Sequence, residues 1–426
     1  MFKLIKFVFI ALFVLLLGLA TLLWMSVQQE PLVVENSSQQ VDNADSVKEL
    51  MRQLSDSLKN RNTRQQIDLS QNQLNSLVGF AQRAEKKFNG RVNIAAWGTG
   101  FYGTYTLPSN PLGQFINLEL LLLPANGIAL EHVKVGGLSI PGQWAINSIT
   151  WLVDWYTDSD IATQFIEQVE NIAMTDEQMT ISIQPLDDFL RELNTVKEGL
   201  TRTGDEELSL RTAYYLKYLN DLDVGQKSRA QSLAKFIGPL FAQAQQRSND
   251  TTAASENEAA IMALAIYAGH YRFANFIGDV QPVADKIAAP KAAPELAKRM
   301  DLNQHFIFSA AIKILSEQGL SIAIGEFKEL MDRGEGGSGY SFVDLSADFA
   351  GIKFAMSATE PGKARKVQNL LANSSDESLF FPDIKGLPEG FSKAAFAEKF
   401  KTVDSEAYQQ LVTEIHRRVD ALPIHQ

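Results

Sequence analysis

Residues 301–351 read DLNQHFIFSAAIKILSEQGLSIAIGEFKELMDRGEGGSGYSFVDLSADFAG, and they are the one stretch of this chain whose side chains are typed and spaced like a site. Three helices are expected there, over 305–316, 321–331 and 342–358. His305 and Ser309 stand four apart, Glu329 and Asp332 three apart, and Asp344 and Asp348 four apart, so each pair shares one helix face. If the three helices pack together, an imidazole, up to four carboxylates, Lys328 and the hydroxyls of Ser309, Ser338 and Ser341 converge. Carboxylates with one imidazole suit a hard or borderline divalent cation. The same set can run acid–base chemistry, because crowded carboxylates push one pKa upward. The candidate catalytic residues are therefore His305, Glu329, Asp332, Asp344 and Asp348, with Ser309, Lys328, Ser338 and Ser341 as binding residues. The cofactor stays open, a divalent metal among the options.

A plainer arrangement uses the same residues. Lys328 would neutralise one carboxylate, while Ser341 and Asp344 would cap the third helix. Unpartnered buried carboxylates are costly, so pairing is required either way. The loop 334–339 (GEGGSG) permits positive φ and close backbone approach, but it is not a phosphate loop, because the Gly-x-x-x-x-Gly-Lys-Ser/Thr spacing is missing.

Other chemistry-bearing residues are weaker candidates. His270, in AIYAGHYRF, reads as a helix-end histidine. Glu256 and Glu258 open a helix, where the dipole alone favours acids, although a glycan-cleaving acid can look the same, which keeps Glu258 a candidate. His132 sits on a strand with no partner nearby in sequence, and His416, followed by Arg417 and Arg418, reads as solvated. Gly-x-Ser-x-Gly and His-Glu-x-x-His are both missing from the sequence.

The elements that must position these residues follow from periodicity. Helical spacing recurs over 186–200, 208–222, 225–247 and 256–277, then through the site, and finally over 396–422. Before them, 47–60 and a helix capped by Ser70 precede a change to strands. Alternation marks strands over 92–97, 128–135 and 178–183, an aromatic, Thr-rich run marks 101–107 and a strongly apolar run 114–123, and 144–156 is an aromatic, amphipathic helix. The expected fold class is α+β: an N-terminal transmembrane helix, a small antiparallel-sheet module, then an all-helical domain. The expected organisation is a signal anchor (1–27), a polar tether (28–46), an α+β module (47–185), a helical region (186–300) and a helical domain with the polar cluster (301–426).

Composition and the first residues set the compartment. The 426 residues carry a net charge of −11, which argues against sequence-independent nucleic-acid binding. There is no cysteine, so disulfides, thiolate catalysis, thiolate metal sites and lipidation at cysteine are excluded. Lys3 and Lys6 precede nineteen uncharged residues, FVFIALFVLLLGLATLLWM at 7–25. As a helix these span about 28 Å, close to the hydrocarbon thickness of a bilayer. The run ends in Leu22-Leu23-Trp24-Met25, a poor cleavage site, and Trp24 is an interfacial residue type, so an uncleaved anchor is expected in a bacterial inner membrane. The N-terminus would be cytoplasmic and the bulk periplasmic.

Two resemblances bear on function. The motifs HFIFSA, GEFKELMD and GGSGYSFVDLSADFAG resemble the YfiM-type family of small bacterial envelope lipoproteins, matching at His305, Ser309, Lys328, Glu329, Asp332, Ser338, Ser341, Asp344 and Asp348. The resemblance covers about 50 residues and implies an envelope location and a candidate site, without a reaction. The chain departs from that pattern in lacking a lipidation cysteine and in having Tyr340 where Phe is usual. The order His…Glu…Asp is also similar to VanZ-like membrane proteins. Earlier, LSQNQLNSLV and LPANGIALEHVKVGGLSIPGQW resemble the extracytoplasmic domain of the YpmS-type family, which implies a curved sheet able to hold an apolar ligand. The alternative is that these strands fill their own core. The expected function is that of an anchored envelope protein binding a lipid, a glycan or a protein partner. The competing expectation is a hydrolase of an envelope polymer using the His305/Glu329/Asp332/Asp344/Asp348 cluster. If His305, Glu329 and Asp348 meet in a reachable cleft, hydrolysis is favoured; if they are sealed and paired, binding is.

Overall fold

The structure is a computed structural model and describes residues 21–111, 113–201, 206–277, 280–316, 324–325, 328–329, 332–333 and 337–426. It is an α+β protein with antiparallel sheets, in two compact units that divide between Val196 and Lys197. Most of the expected transmembrane span lies outside the described residues. Residues 21–26 are helical, with Leu22, Leu23 and Trp24 exposed. Among the described residues no helix is long and apolar enough to cross a membrane.

The first unit begins with β1 (Val27–Gln28), α1 (Ser37–Gln40), a 3-10 turn and α2 (Val47–Lys59). There follow β2 (Gln65–Ser70), α3 (Gln71–Ala84), β3 (Phe88–Ala95), β4 (Gly98–Thr106), β5 (Phe115–Leu123), β6 (Ala125–Asn126), β7 (Ala129–Val135) and β8 (Leu138–Pro141). It closes with α4 (Gly142–Thr157), α5 (Ile161–Gln168), β9 (Val169–Met174) and β10 (Gln178–Ile183), and α6 (Asp187–Thr201) crosses the division. Among the described residues there are two sheets, not the one expected. The larger has the order β3-β4-β5-β7-β8 with β1 also on β5, and the smaller has the order β2-β10-β9-β6.

Alternation explains the core. Val92, Ile94 and Leu122 of the larger sheet bury against Ile172 and Met179 of the smaller, with Leu74 and Val78 of α3 packed on them. The apolar strand positions thus fill a core between the sheets, as the plainer of the two sequence readings had it. Ser70 both ends β2 and caps α3 in a reciprocal capping box with Gln73. Amide side chains of α3 then satisfy the free edge of β3: Asn75 accepts from Val92 N (2.9 Å) and donates to Val92 O (2.8 Å), and Gln71 accepts from Ile94 N (2.8 Å).

The stretch 28–46, expected as a polar tether, is folded onto this unit. Val33, Val41 and Ala44 are buried. Thr104 Oγ1 accepts from the backbone N–H groups of Leu32 and Val33, and Asn117 Nδ2 donates to Glu30 O (2.9 Å). Its polar composition hid this, because the contacts that order it come from β4 and β5.

The second unit is helical: α7 (Glu206–Asn220), α8 (Ala234–Arg247), α9 (Ala253–Leu264), α10 (Gln281–Ala284), α11 (Met300–Leu315), α12 (Phe342–Thr359), α13 (Ala364–Leu371), α14 (Lys393–Phe400) and α15 (Glu406–Asp420). Residues expected as separate stretches, 186–300 and 301–426, interleave here: Asn257 of α9 donates to Ala358 O at the end of α12 (2.8 Å). α12 is buried nearly all round, which marks it as the central helix. Phe306 of α11 meets Phe354 at 5.2 Å and Phe380 at 5.5 Å between ring centroids. Gly351 lets α11 and α12 touch, since a Cβ there would lie 2.1 Å from Phe306 O. The expected last helix over 396–422 is two helices, α14 and α15, joined through Lys401 at φ +63°.

Candidate functional site

The α11–α12 contact assembles the site. His305 and Ser309 project from one face of α11, and Asp344 and Asp348 from one face of α12. Asp348 Oδ1 accepts from Ser309 Oγ at 2.7 Å and lies 3.1 Å from His305 Nδ1. His305 Nε2 faces Asp344 Oδ2 at 3.6 Å and Lys328 Nζ at 3.4 Å. Ser341 caps α12 by accepting from Asp344 N (3.0 Å), and its own N–H donates to Glu329 Oε2 (3.1 Å). Lys328 reaches Glu329 Oε1 (3.3 Å) and Asp332 Oδ2 (2.9 Å).

Of the nine predicted residues, the structure thus joins eight: His305, Ser309, Lys328, Glu329, Asp332, Ser341, Asp344 and Asp348. Ser338 is exposed in the loop, with no hydrogen bond to the cluster among the described residues. Most of the expected middle helix over 321–331, and 334–336 of the glycine loop, lie outside the described residues.

The electrostatics follow from burial. Glu329 is fully buried, and the loss of water, reinforced by the charges of Asp348 and Asp344 against the opposing pull of Lys328 and His305, holds its carboxyl up to about 8. Burial likewise pushes Asp344 upward. Burial works against a charged His305, but its bond to Asp348 outweighs that and raises its pKa. Lys328 is raised as well: burial opposes its charge, and Glu329 and Asp332 more than restore it.

One ligand atom from each of His305, Glu329 and Asp348 lies within 4.8 Å of the others, so this trio could hold a divalent cation. Each is nevertheless engaged already. Asp348 holds Ser309 and His305, Glu329 holds Ser341 N and Lys328, and the side chains are 6 %, 0 % and, for His305, 9 % exposed. Lys328, 46 % exposed, stands at the rim of the cluster.

Sequence reasoning missed Arg299, which binds Asp344 at 3.4 Å together with Asp301 and Glu389. It also missed a second buried charge cluster. Glu256 of α9 accepts from Tyr215 Oη (2.5 Å), Arg247 Nε (3.1 Å) and Arg211 Nε (3.2 Å). The partners come from α7 and α8, and no local spacing announces them. His132 finds Glu119 across the strand pair at 2.9 Å, and His270 caps the turn after it through Arg272 N, as a helix-end histidine does. His416, expected as solvated, packs edge-on against Phe349 at 4.3 Å, and burial lowers its pKa.

No family model, no curated protein and no solved structure matches the chain. The two resemblances therefore rest on their own residues.

Proposed function

We propose that this chain is an inner-membrane protein held by residues 7–25, with its two folded units on the periplasmic side, and that it acts there by binding an envelope component and not by catalysis. The observation that supports this reading is the closure of the His305/Glu329/Asp348 cluster: all three side chains are nearly shielded from water and hydrogen-bonded within the protein. A hydrolytic acid and base need room for a substrate between them and a route from solvent. The cluster instead ties α11, α12 and the Lys328–Glu329 segment together, while large apolar side chains stay exposed in the first unit.

A second reading, a metal-assisted hydrolase of an envelope polymer, is favoured by one observation: the 4.8 Å convergence of ligand atoms beside a half-exposed lysine that could yield its place to a divalent ion. Metal analysis of the full chain purified in detergent, with H305A and D348A, separates the two. Binding without catalysis predicts no stoichiometric metal and a loss of about 3 kcal/mol in D348A, because Ser309 and His305 lose their buried partner. A divalent ion at one per chain, lost in both variants with stability unchanged, would overturn the proposal in favour of the hydrolase.

A further inference from the structure

α4 exposes an aromatic face. Trp144, Ile149, Trp151, Leu152, Trp155 and Tyr156 are all open to solvent, with Trp144 and Tyr156 each 73 % exposed. Trp144, Trp151 and Trp155 lie at i, i+7 and i+11, a single stripe, and the rings of Trp151 and Trp155 stack with centroids 6.2 Å apart. The one charged side chain of α4, Asp154, does not disturb this face. It turns to the start of α5 and accepts from Ala162 N (2.7 Å) and Thr163 Oγ1 (2.6 Å). An apolar aromatic face of this extent, with no charged side chain on it, is a contact surface.

The path of the chain from the expected span says what it contacts. Gly137 N donates to Met25 O at 2.8 Å, in the turn between β7 and β8. Gly136 there has φ +58°, and a Cβ on it would lie 2.4 Å from Ser26 O, so only glycine admits the chain so closely. Val27 is already paired with Ile116 of β5. No slack therefore separates the last residue of the span from the sheet, and the β7–β8 turn sits where the chain leaves the bilayer. From that turn β8 covers about 13 Å and runs directly into α4. Trp and Tyr are the residues that settle at a headgroup boundary, apolar ring inward and polar edge to water.

We infer that α4 is an interfacial helix, its Trp144/Trp151/Trp155 stripe resting in the headgroup–acyl boundary of the same bilayer that residues 7–25 cross, so that the first unit is held flat against the membrane at a second point. This inference rests on the anchored reading above, and it makes the lipid surface the envelope component that this helix binds.

The test uses the full chain with W24F and W97F, both at exposed positions, so that Trp144, Trp151 and Trp155 alone emit. It is reconstituted into phosphatidylcholine/phosphatidylglycerol vesicles with or without brominated acyl chains. Insertion predicts about twofold quenching, stronger for bromine placed near the headgroup than near the chain end. Emission unchanged by bromine, in chain that floats with the vesicles, overturns the inference and leaves the anchor standing; α4 would then face water or protein. Chain that does not float with the vesicles overturns the anchor, and this inference with it.

Discussion

Replacing Glu329 with Gln keeps the side chain's shape and its acceptor for Ser341 N–H, and removes its titration. Glu329 is fully buried, and Lys328, the cation nearest to it, divides its ammonium between Glu329 at 3.3 Å and Asp332 at 2.9 Å. Desolvation, with Asp348 and Asp344 behind it, lifts the carboxyl from its ordinary 4.5 to about 8. Between those values the folded chain holds a proton that the unfolded chain releases. The contribution of this group is thus fully present below pH 4.5 and is lost as pH rises through 8. Integrating the linkage from pH 5 to pH 7 gives a loss of roughly 2.5 kcal/mol, which E329Q does not suffer. Titrations away from the cluster are common to both proteins and cancel in the difference, and Lys328, whose charge Glu329 supports, stays protonated across this window. The units can be followed separately, because all five tryptophans (Trp24, Trp97, Trp144, Trp151 and Trp155) precede Val196. Urea unfolding read by far-UV circular dichroism weights the helical unit, and tryptophan emission reports the first. E329Q should gain on the native protein in the helical transition as pH rises and leave the tryptophan transition alone. Parallel pH profiles would refute the reasoning, showing that Lys328 keeps Glu329 ionised.

Three other outcomes follow from packing and charge. E256Q should destabilise the helical transition by about 3 kcal/mol, because Arg211 and Arg247 lose the buried carboxylate they share; an unchanged urea midpoint would show that Glu207, at 3.0 Å from Arg211, and solvent already balance both arginines. G351A should cost about 3 kcal/mol or more, since its methyl would meet Phe306 O and force α11 from α12; the thermal midpoint by circular dichroism reads this directly. S70A should lose about 1 kcal/mol in the tryptophan-monitored transition alone, because one half of the capping box with Gln73 disappears.

Local rules made much of this chain readable. Residues 178–183 alternate, and β10 has those bounds; Ser70 followed three residues later by Gln73 caps α3; His305/Ser309 and Asp344/Asp348 share helix faces because a helix repeats every 3.6 residues. Where partners are remote, the pattern was silent. Residues 28–46 look like a tether until Thr104 and Asn117, more than seventy positions away, take up their backbone polar groups. Glu256 looks like a first-turn acid serving the helix dipole until Arg211 and Arg247 arrive from two other helices.

The candidate site divides in the same way. Residue type and period determine that one imidazole and several carboxylates stand on short helical faces, since both depend only on neighbours along the chain. Whether those faces enclose a space or close upon themselves is decided by how near α11 comes to α12. That distance is set by a missing side chain, Gly351, against the backbone of Phe306, and by aromatic rings drawn from across the second unit. Burial, and with it the protonation of Glu329, is a property of that packing and of no residue alone.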